Sequence, residues 1–256
     1  MITAPARLLT QNSELRRVGV YNWTIPAHVV TLTNGQRFNC CPHAGSCGRV
    51  CYAKFGTYTF SNVKARHLLN LEYVLEQGDA WQQQMISEVT HKRMNPTLKP
   101  HDLPFDADDV WLKGWAEHGG KAVRIHDAGD FYDESYFQRW VHIARKAPYV
   151  LFYAYTKEVS MMLRYMHHFP KNFRIVFSYG GKEDRLINRD EHRHADVFPT
   201  AQELNEAGYF DQADNDLLAV VAPTNKIGIV ANRLPVAIKR FDGRTMSALA
   251  PTRETE

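Results

Sequence analysis

Short apolar runs alternate along this chain with longer stretches in which apolar residues recur every three or four positions, the pattern of strands interleaved with helices. Residues 24–32 read as a first strand, closed by the turn signal Asn34-Gly35. From Ser61 to Leu75 the residues Val63, His67, Leu68, Leu71, Val74 and Leu75 lie on one helical face, with Ser61 or Asn62 as N-cap. Gly78-Asp79 breaks that helix and caps a second, from Ala80 to about Met94. Residues 95–105 hold three prolines and read as a loop. A helix over 106–118 ends at Gly119-Gly120, and a short buried strand follows over 122–126. After the turn Asp127-Ala128-Gly129-Asp130 comes an amphipathic helix, about 134–146, carrying Tyr136, Phe137, Trp140, Ile143 and Ala144 on one side. Strands over 149–155 and 173–179 flank a helix over 161–169. The stretch 182–196 is dense in both charges and reads as a solvated helix laced with ion pairs, and 217–222 and 227–231 are strand-like.

Strands spaced by helices predict an α/β fold with a largely parallel sheet and flanking helices, because parallel neighbours need crossovers of that length. Periodicity does not distinguish a barrel from an open sheet. In either form functional side chains collect in loops at the C-terminal ends of the strands. One α/β domain is expected over residues 1–245, with 246–256 as a loose tail.

Composition narrows the class. Hydrophobic residues at 44% and charged residues at 23% describe a globular core, not a disordered chain. The net charge of +3 admits an anionic substrate without requiring one. No apolar run approaches the ~18 residues of a membrane span, and the N-terminus lacks the layout of a signal peptide. A chain of the cytoplasm, with reduced thiols, is expected.

All four cysteines stand together, as Cys40 and Cys41, Cys47, and Cys51. Gathered thiolates are soft ligands suited to zinc, copper(I) or an iron–sulfur cluster. From Cys41 the spacing is C-x5-C-x3-C, which lets three thiolates each take one iron of a cubane and leaves the fourth iron open. Gly45, Gly48 and Ala44 permit a tight wrap, and Tyr52 directly follows the last cysteine. Zinc is the main rival, with His43 or Cys40 as fourth ligand, although His43 lies only two residues from Cys41. Unligated thiols are the third reading.

Cys41-Pro42, Cys47 and Cys51-Tyr52-Ala53, followed downstream by Arg124-Ile125-His126-Asp127-Ala128-Gly129-Asp130-Phe131, resemble the bacteriophage gene product 88 family, itself similar to radical S-adenosylmethionine (SAM) enzymes. The resemblance implies a partial (β/α) barrel of radical-SAM type and a 4Fe–4S cluster on Cys41, Cys47 and Cys51. It further implies SAM as a cofactor, its amine held at the turn Ala128-Gly129-Asp130, and an external electron donor such as flavodoxin or ferredoxin. A small-molecule or nucleotide substrate, a modified nucleotide or DNA base among them, is the corresponding expectation, with a short stretch of nucleic acid as a further candidate partner; the alternative is a non-catalytic binding protein, its loop stapled by an iron–sulfur cluster or zinc, that acts on a phage or host partner. Two features depart from the radical SAM pattern: the cysteine spacing is wider, and the aromatic follows the last cysteine instead of preceding it.

Residues at the strand ends complete the candidate site. Arg124 and His126 alternate with Val123 and Ile125 and so share one strand face, which in a barrel points inward; in an ordinary sheet the same pair would be a satisfied buried one. Asp130 could hold an ammonium group or cap the next helix. By the resemblance, Tyr155 and Ser178 line the cofactor and substrate pocket; strand tyrosines otherwise sit in the core with a tethered hydroxyl. No HExxH or similar histidine arrangement supports a histidine-based catalytic metal.

Overall fold

The computed structural model describes residues 2–91, 94, 109–231 and 241–249. Seven strands form one parallel sheet: β1 (Val20–Trp23), β4 (Ala122–Ile125), β5 (Leu151–Thr156), β6 (Phe173–Ser178), β7 (His194–Phe198), β9 (Lys226–Val230) and β8 (Phe210–Asp211), in that spatial order. A separate antiparallel hairpin joins β2 (Val29–Thr31) to β3 (Arg37–Asn39). From β1 to β7 each successive sheet strand is added on the same side; β8 then takes the outer edge, and β9 turns back to insert between β7 and β8. The α/β class and the parallel sheet are as expected from the pattern.

Nine α-helices are described: α1 (Ser13–Arg17), α2 (Cys47–Val50), α3 (Ser61–Glu76), α4 (Gly78–Thr90), α5 (Val110–Glu117), α6 (Glu134–Lys146), α7 (Val159–Tyr165), α8 (Ala201–Glu206) and α9 (Leu218–Val221). The amphipathic α6 shows why: Asp133 caps it by accepting from Tyr136 N at 2.7 Å, and Arg145 and Lys146 face the negative end of its dipole. Its face of Tyr136, Phe137, Trp140 and Ile143 is buried with Trp23 and Trp81 against Val123, Ile125 and Phe152. Helices α3, α4 and α7 cover that same face of the sheet. The opposite face, with Val20, Ala122, Leu151, Tyr153 and Val176, is covered by α1, α5 and α9. Full burial of each large apolar side chain contributes about 1.5–3 kcal/mol, so the two clusters fix the sheet between its layers.

Several expected elements differ. The first sheet strand is β1, upstream of 24–32, because the expected strand breaks at Pro26 and re-forms beyond it as β2. The Asn34-Gly35 turn does close a hairpin, with Gly35 at φ +84°. Neither Ser61 nor Asn62 caps α3, which starts after Phe60 without a side-chain cap, and α4 likewise begins at Gly78 uncapped. The 217–222 stretch is the helix α9, buried all round, where apolar residues carry no period to distinguish strand from helix. The charged stretch forms a 3-10 turn over Asp184–Leu186 and then strand β7, not a solvated helix. Arg193 bonds the carbonyls of Ala219 and Ala222, so cross-chain partners replace the expected neighbouring ones. Beyond residue 245, Met246 and Leu249 are buried and Ser247 is bonded to Asp196, so the chain is anchored through Leu249. The expected loop 95–105 and the start of the expected helix at 106 lie outside the described residues, as does 250–256. Among the described residues no helix is long and apolar enough to cross a membrane.

Candidate metal centre

The cysteine loop leaves β3 and crosses the C-terminal edge of the sheet, fastened at three successive strand ends. Beyond β4, Asp130 N donates to Cys40 O at 2.9 Å. Beyond β5, Glu158 accepts from His43 N at 3.2 Å and faces His43 Nδ1 at 2.5 Å. Beyond β6, Gly180 O accepts from both Gly45 N and Cys47 N at 3.0 Å, and Lys182 N donates to His43 O at 2.9 Å. A Cβ on Gly45 would stand 2.9 Å from the Gly181 carbonyl carbon, so this backbone-on-backbone seat requires glycine.

This seat sorts the four thiols. Cys40 points into the core, fully buried, and burial pushes its pKa up to about 12. Cys41, Cys47 and Cys51 are half-buried and free, and besides burial the charge of Cys47 adds to the raised pKa of both Cys41 and Cys51. Burial is the main cause of the rise at all three. Cys41 Sγ also accepts from the backbone N–H of His28 at 3.3 Å, and His28 itself takes a left-handed conformation (φ +61°). Among the described residues, no group of three or more His, Cys, Asp or Glu forms a ligand set for a single metal ion. His43 is occupied: Glu158 takes Nδ1, and Glu183 stands 3.5 Å from Nε2.

Asp130 is buried, and both its oxygens are engaged. Oδ1 accepts from Thr156 Oγ1 at 2.6 Å and Phe131 N at 2.8 Å, and Oδ2 accepts from Lys157 N at 2.9 Å. The carboxylate thus ties the end of β4 to the end of β5, while the cap of α6 is Asp133. Burial raises its pKa, with the Thr156 and Lys157 bonds opposing. Gly129 (φ +88°) has a packing role, since a Cβ there would lie 2.4 Å from Ile25 Cγ1. Ala128 is buried beside it.

Lys157 extends from the same strand end, and its Nζ donates to Ser178 Oγ at 3.0 Å. Burial pulls its pKa down, but Cys47, Asp130, Asp184 and Cys41 outweigh burial and raise it. A cation bonded to Ser178 therefore lies within electrostatic reach of Cys47 and Cys41.

The chain belongs to the gene product 88 family. Its family model matches residues 4–242, spanning every strand and all four cysteines. No curated protein and no solved structure matches the chain.

Other candidate residues of this family member divide between the two sheet faces. Arg124 lies on the face shared with Tyr153 and Tyr155: its guanidinium is 5.1 Å from the Tyr155 ring centre and its Nη1 meets Asp216 Oδ1 at 3.1 Å. Tyr153 donates to the other oxygen of Asp216. His126 is not on that face. Its φ of +65° ends the strand alternation and turns the ring among Phe131 and Tyr136, with Nε2 2.9 Å from the Tyr136 hydroxyl. Burial lowers its pKa to about 3, so it is a neutral core histidine. The expectation that Arg124 and His126 share a face is corrected by that one backbone dihedral. Lys157, Glu158 and Asp216 were not among the sequence candidates. Lys157-Glu158 directly follow a buried strand, which is a legible signal; Asp216 precedes a four-residue helix and carries none.

Proposed function

We propose that this protein holds a 4Fe–4S cluster on Cys41, Cys47 and Cys51 and binds SAM at it. The observation that carries the reading is the sorting of the thiols. Three free, half-buried thiols share one loop at the C-terminal edge of a parallel sheet, while Cys40 is withdrawn into the core. A four-ligand zinc site has less support, since both its candidate fourth ligands, Cys40 and His43, are committed elsewhere. A cubane needs only three thiolates, each on a different iron, and so does not require them to converge on one point. The strand order, unreversed from β1 to β7, is compatible with the winding of a partial barrel and supports that reading of the fold.

The donor set fits the cluster. Lys157 offsets thiolate charge, and the His28 N–H is directed at Cys41 Sγ, a bond of the kind that tunes cluster potential. If bound here, the cluster would supply one-electron reductive cleavage of SAM, the electron coming from an external donor such as flavodoxin or ferredoxin. This chain's residues hold the loop rigid through Gly180, Glu158 and Asp130, and pack Met246 over the turn at Gly180. Asp130 acts in this reading chiefly by positioning Lys157 and the Cys40 carbonyl, because its own oxygens are engaged.

Anaerobic purification with iron and sulfide analysis, followed by SAM titration of the reduced protein, tests the reading. Cys41→Ala, Cys47→Ala and Cys51→Ala should each remove the iron, and Cys40→Ala should keep it. A colourless zinc protein, or equal loss of iron at Cys40→Ala, would overturn the ligand assignment. A reduced spectrum that ignores SAM would keep the cluster and remove the radical chemistry.

A further inference from the structure

Residues 15–71 contain seven Lys and Arg and no Asp or Glu, although the whole chain carries only +3. The rest of the protein is therefore net acidic, and its positive charge is concentrated in the segment that includes the cysteine loop. Directly after Cys51 that segment folds into two 3-10 turns, Tyr52–Lys54 and Gly56–Thr59, which pack on each other and on the start of α3. The surface so formed is aromatic as well as basic. Tyr52 is 42% exposed and Phe60 57% exposed, and Lys54 and Lys64 are exposed beside them. The Tyr52 ring lies 5.6 Å from that of Tyr58, which lies 5.9 Å from His67, and Phe60 follows two residues after Tyr58 at the end of the second turn. Lys54 Nζ is held by Gly48 O at 2.5 Å, and Lys64 forms no ion pair among the described residues.

We infer that this face binds single-stranded nucleic acid, with bases stacking on Phe60 and Tyr52 and phosphates beside Lys54 and Lys64. Cations interleaved with exposed aromatic rings suit an unpaired strand, whose backbone is anionic and whose bases offer flat faces. A duplex hides those faces and would meet the lysines alone. An acidic protein partner would use the lysines but gains no stacking from Phe60. Binding itself needs no cluster; only the further step, a base presented beside Cys51, rests on the proposed function and would make a nucleotide within a strand the substrate class.

The test is fluorescence anisotropy of a labelled mixed-sequence oligonucleotide of about 15 nucleotides, near the upper end of the footprint of a single small single-strand-binding fold, about 4–16 nucleotides. It is run on the full chain with and without reconstituted iron, across a salt series. Phe60→Ala should weaken binding by about 5- to 100-fold, the range for one lost base stack. Lys64→Gln should lower the slope of log K against log salt by about 0.7, one phosphate on a single strand. Both side chains are exposed, and circular dichroism checks that the variants fold. Duplex of the same sequence should bind more weakly. No binding at low salt, binding unchanged in both variants, or preference for duplex would overturn the inference. So would binding of an acidic flavodoxin with none of the oligonucleotide. Loss of iron without loss of oligonucleotide binding would count against the cluster alone.

Discussion

Replacing Asp130 with alanine distinguishes a carboxylate that holds the fold from one kept free for a ligand. The variant deletes the acceptor of three bonds and leaves Phe131 N–H, Lys157 N–H and the Thr156 hydroxyl buried without it. Each stranded donor costs about 1–3 kcal/mol. Part of that is offset because the buried carboxylate is itself poorly solvated, which is why its pKa is raised. The net loss should be about 3 kcal/mol, at the upper end of ordinary single substitutions. For a chain of this size that lowers Tm by about 6–12 °C. Asp130→Asn keeps an acceptor for Thr156 and Phe131 but turns an N–H2 toward the Lys157 N–H, so its loss should be smaller, about 1–2 kcal/mol. Urea unfolding followed by circular dichroism measures both, with an unchanged m-value as the check that only stability moved. An alanine variant as stable as the parent to within about 0.5 kcal/mol would refute the structural role and return Asp130 to ligand binding.

Glu158 gives a pH test. Burial lifts its pKa to about 7, with the charge of Asp130 adding to the rise, against 4.5 for an ordinary glutamate. A raised folded-state pKa means that its contribution to stability is complete below pH 4.5 and is lost as pH rises through about 7. That shift corresponds to on the order of 3 kcal/mol. The stability advantage of the parent over Glu158→Gln should therefore shrink between about pH 5 and 8; parallel pH profiles in thermal melts would contradict it. Gly129→Ala should cost about 2–4 kcal/mol from its left-handed φ and the contact with Ile25. Adding Ile25→Ala should recover the clash but not the backbone part, and a double variant with additive losses would show that the two residues do not meet.

The order of strands and helices was legible because burial imposes a period: two for a strand with one face covered, 3.6 for a helix. That reasoning placed β4, β5, β6 and α6 nearly at their bounds and put the cysteine loop beside the parallel sheet. It missed β7, whose strand begins inside a charged run, because Arg193 just before its start is satisfied by hydrogen bonds to the distant carbonyls of Ala219 and Ala222, which no local pattern shows. It misread α9 because a segment buried on every side shows no period. It placed His126 beside Arg124 because alternation was assumed to continue through a residue whose φ is positive.

By itself the sequence determined the α/β class, the grouping of every thiol in one loop and the concentration of positive charge in residues 15–71. Those are properties of composition and local spacing, which are written residue by residue. Which thiol turns inward, which oxygens of Asp130 are taken, and that Lys157 lies within electrostatic reach of Cys47 and Cys41 were decided only in three dimensions. Each depends on chain segments 26 or more residues apart meeting at one sheet edge, and no local pattern encodes such a meeting.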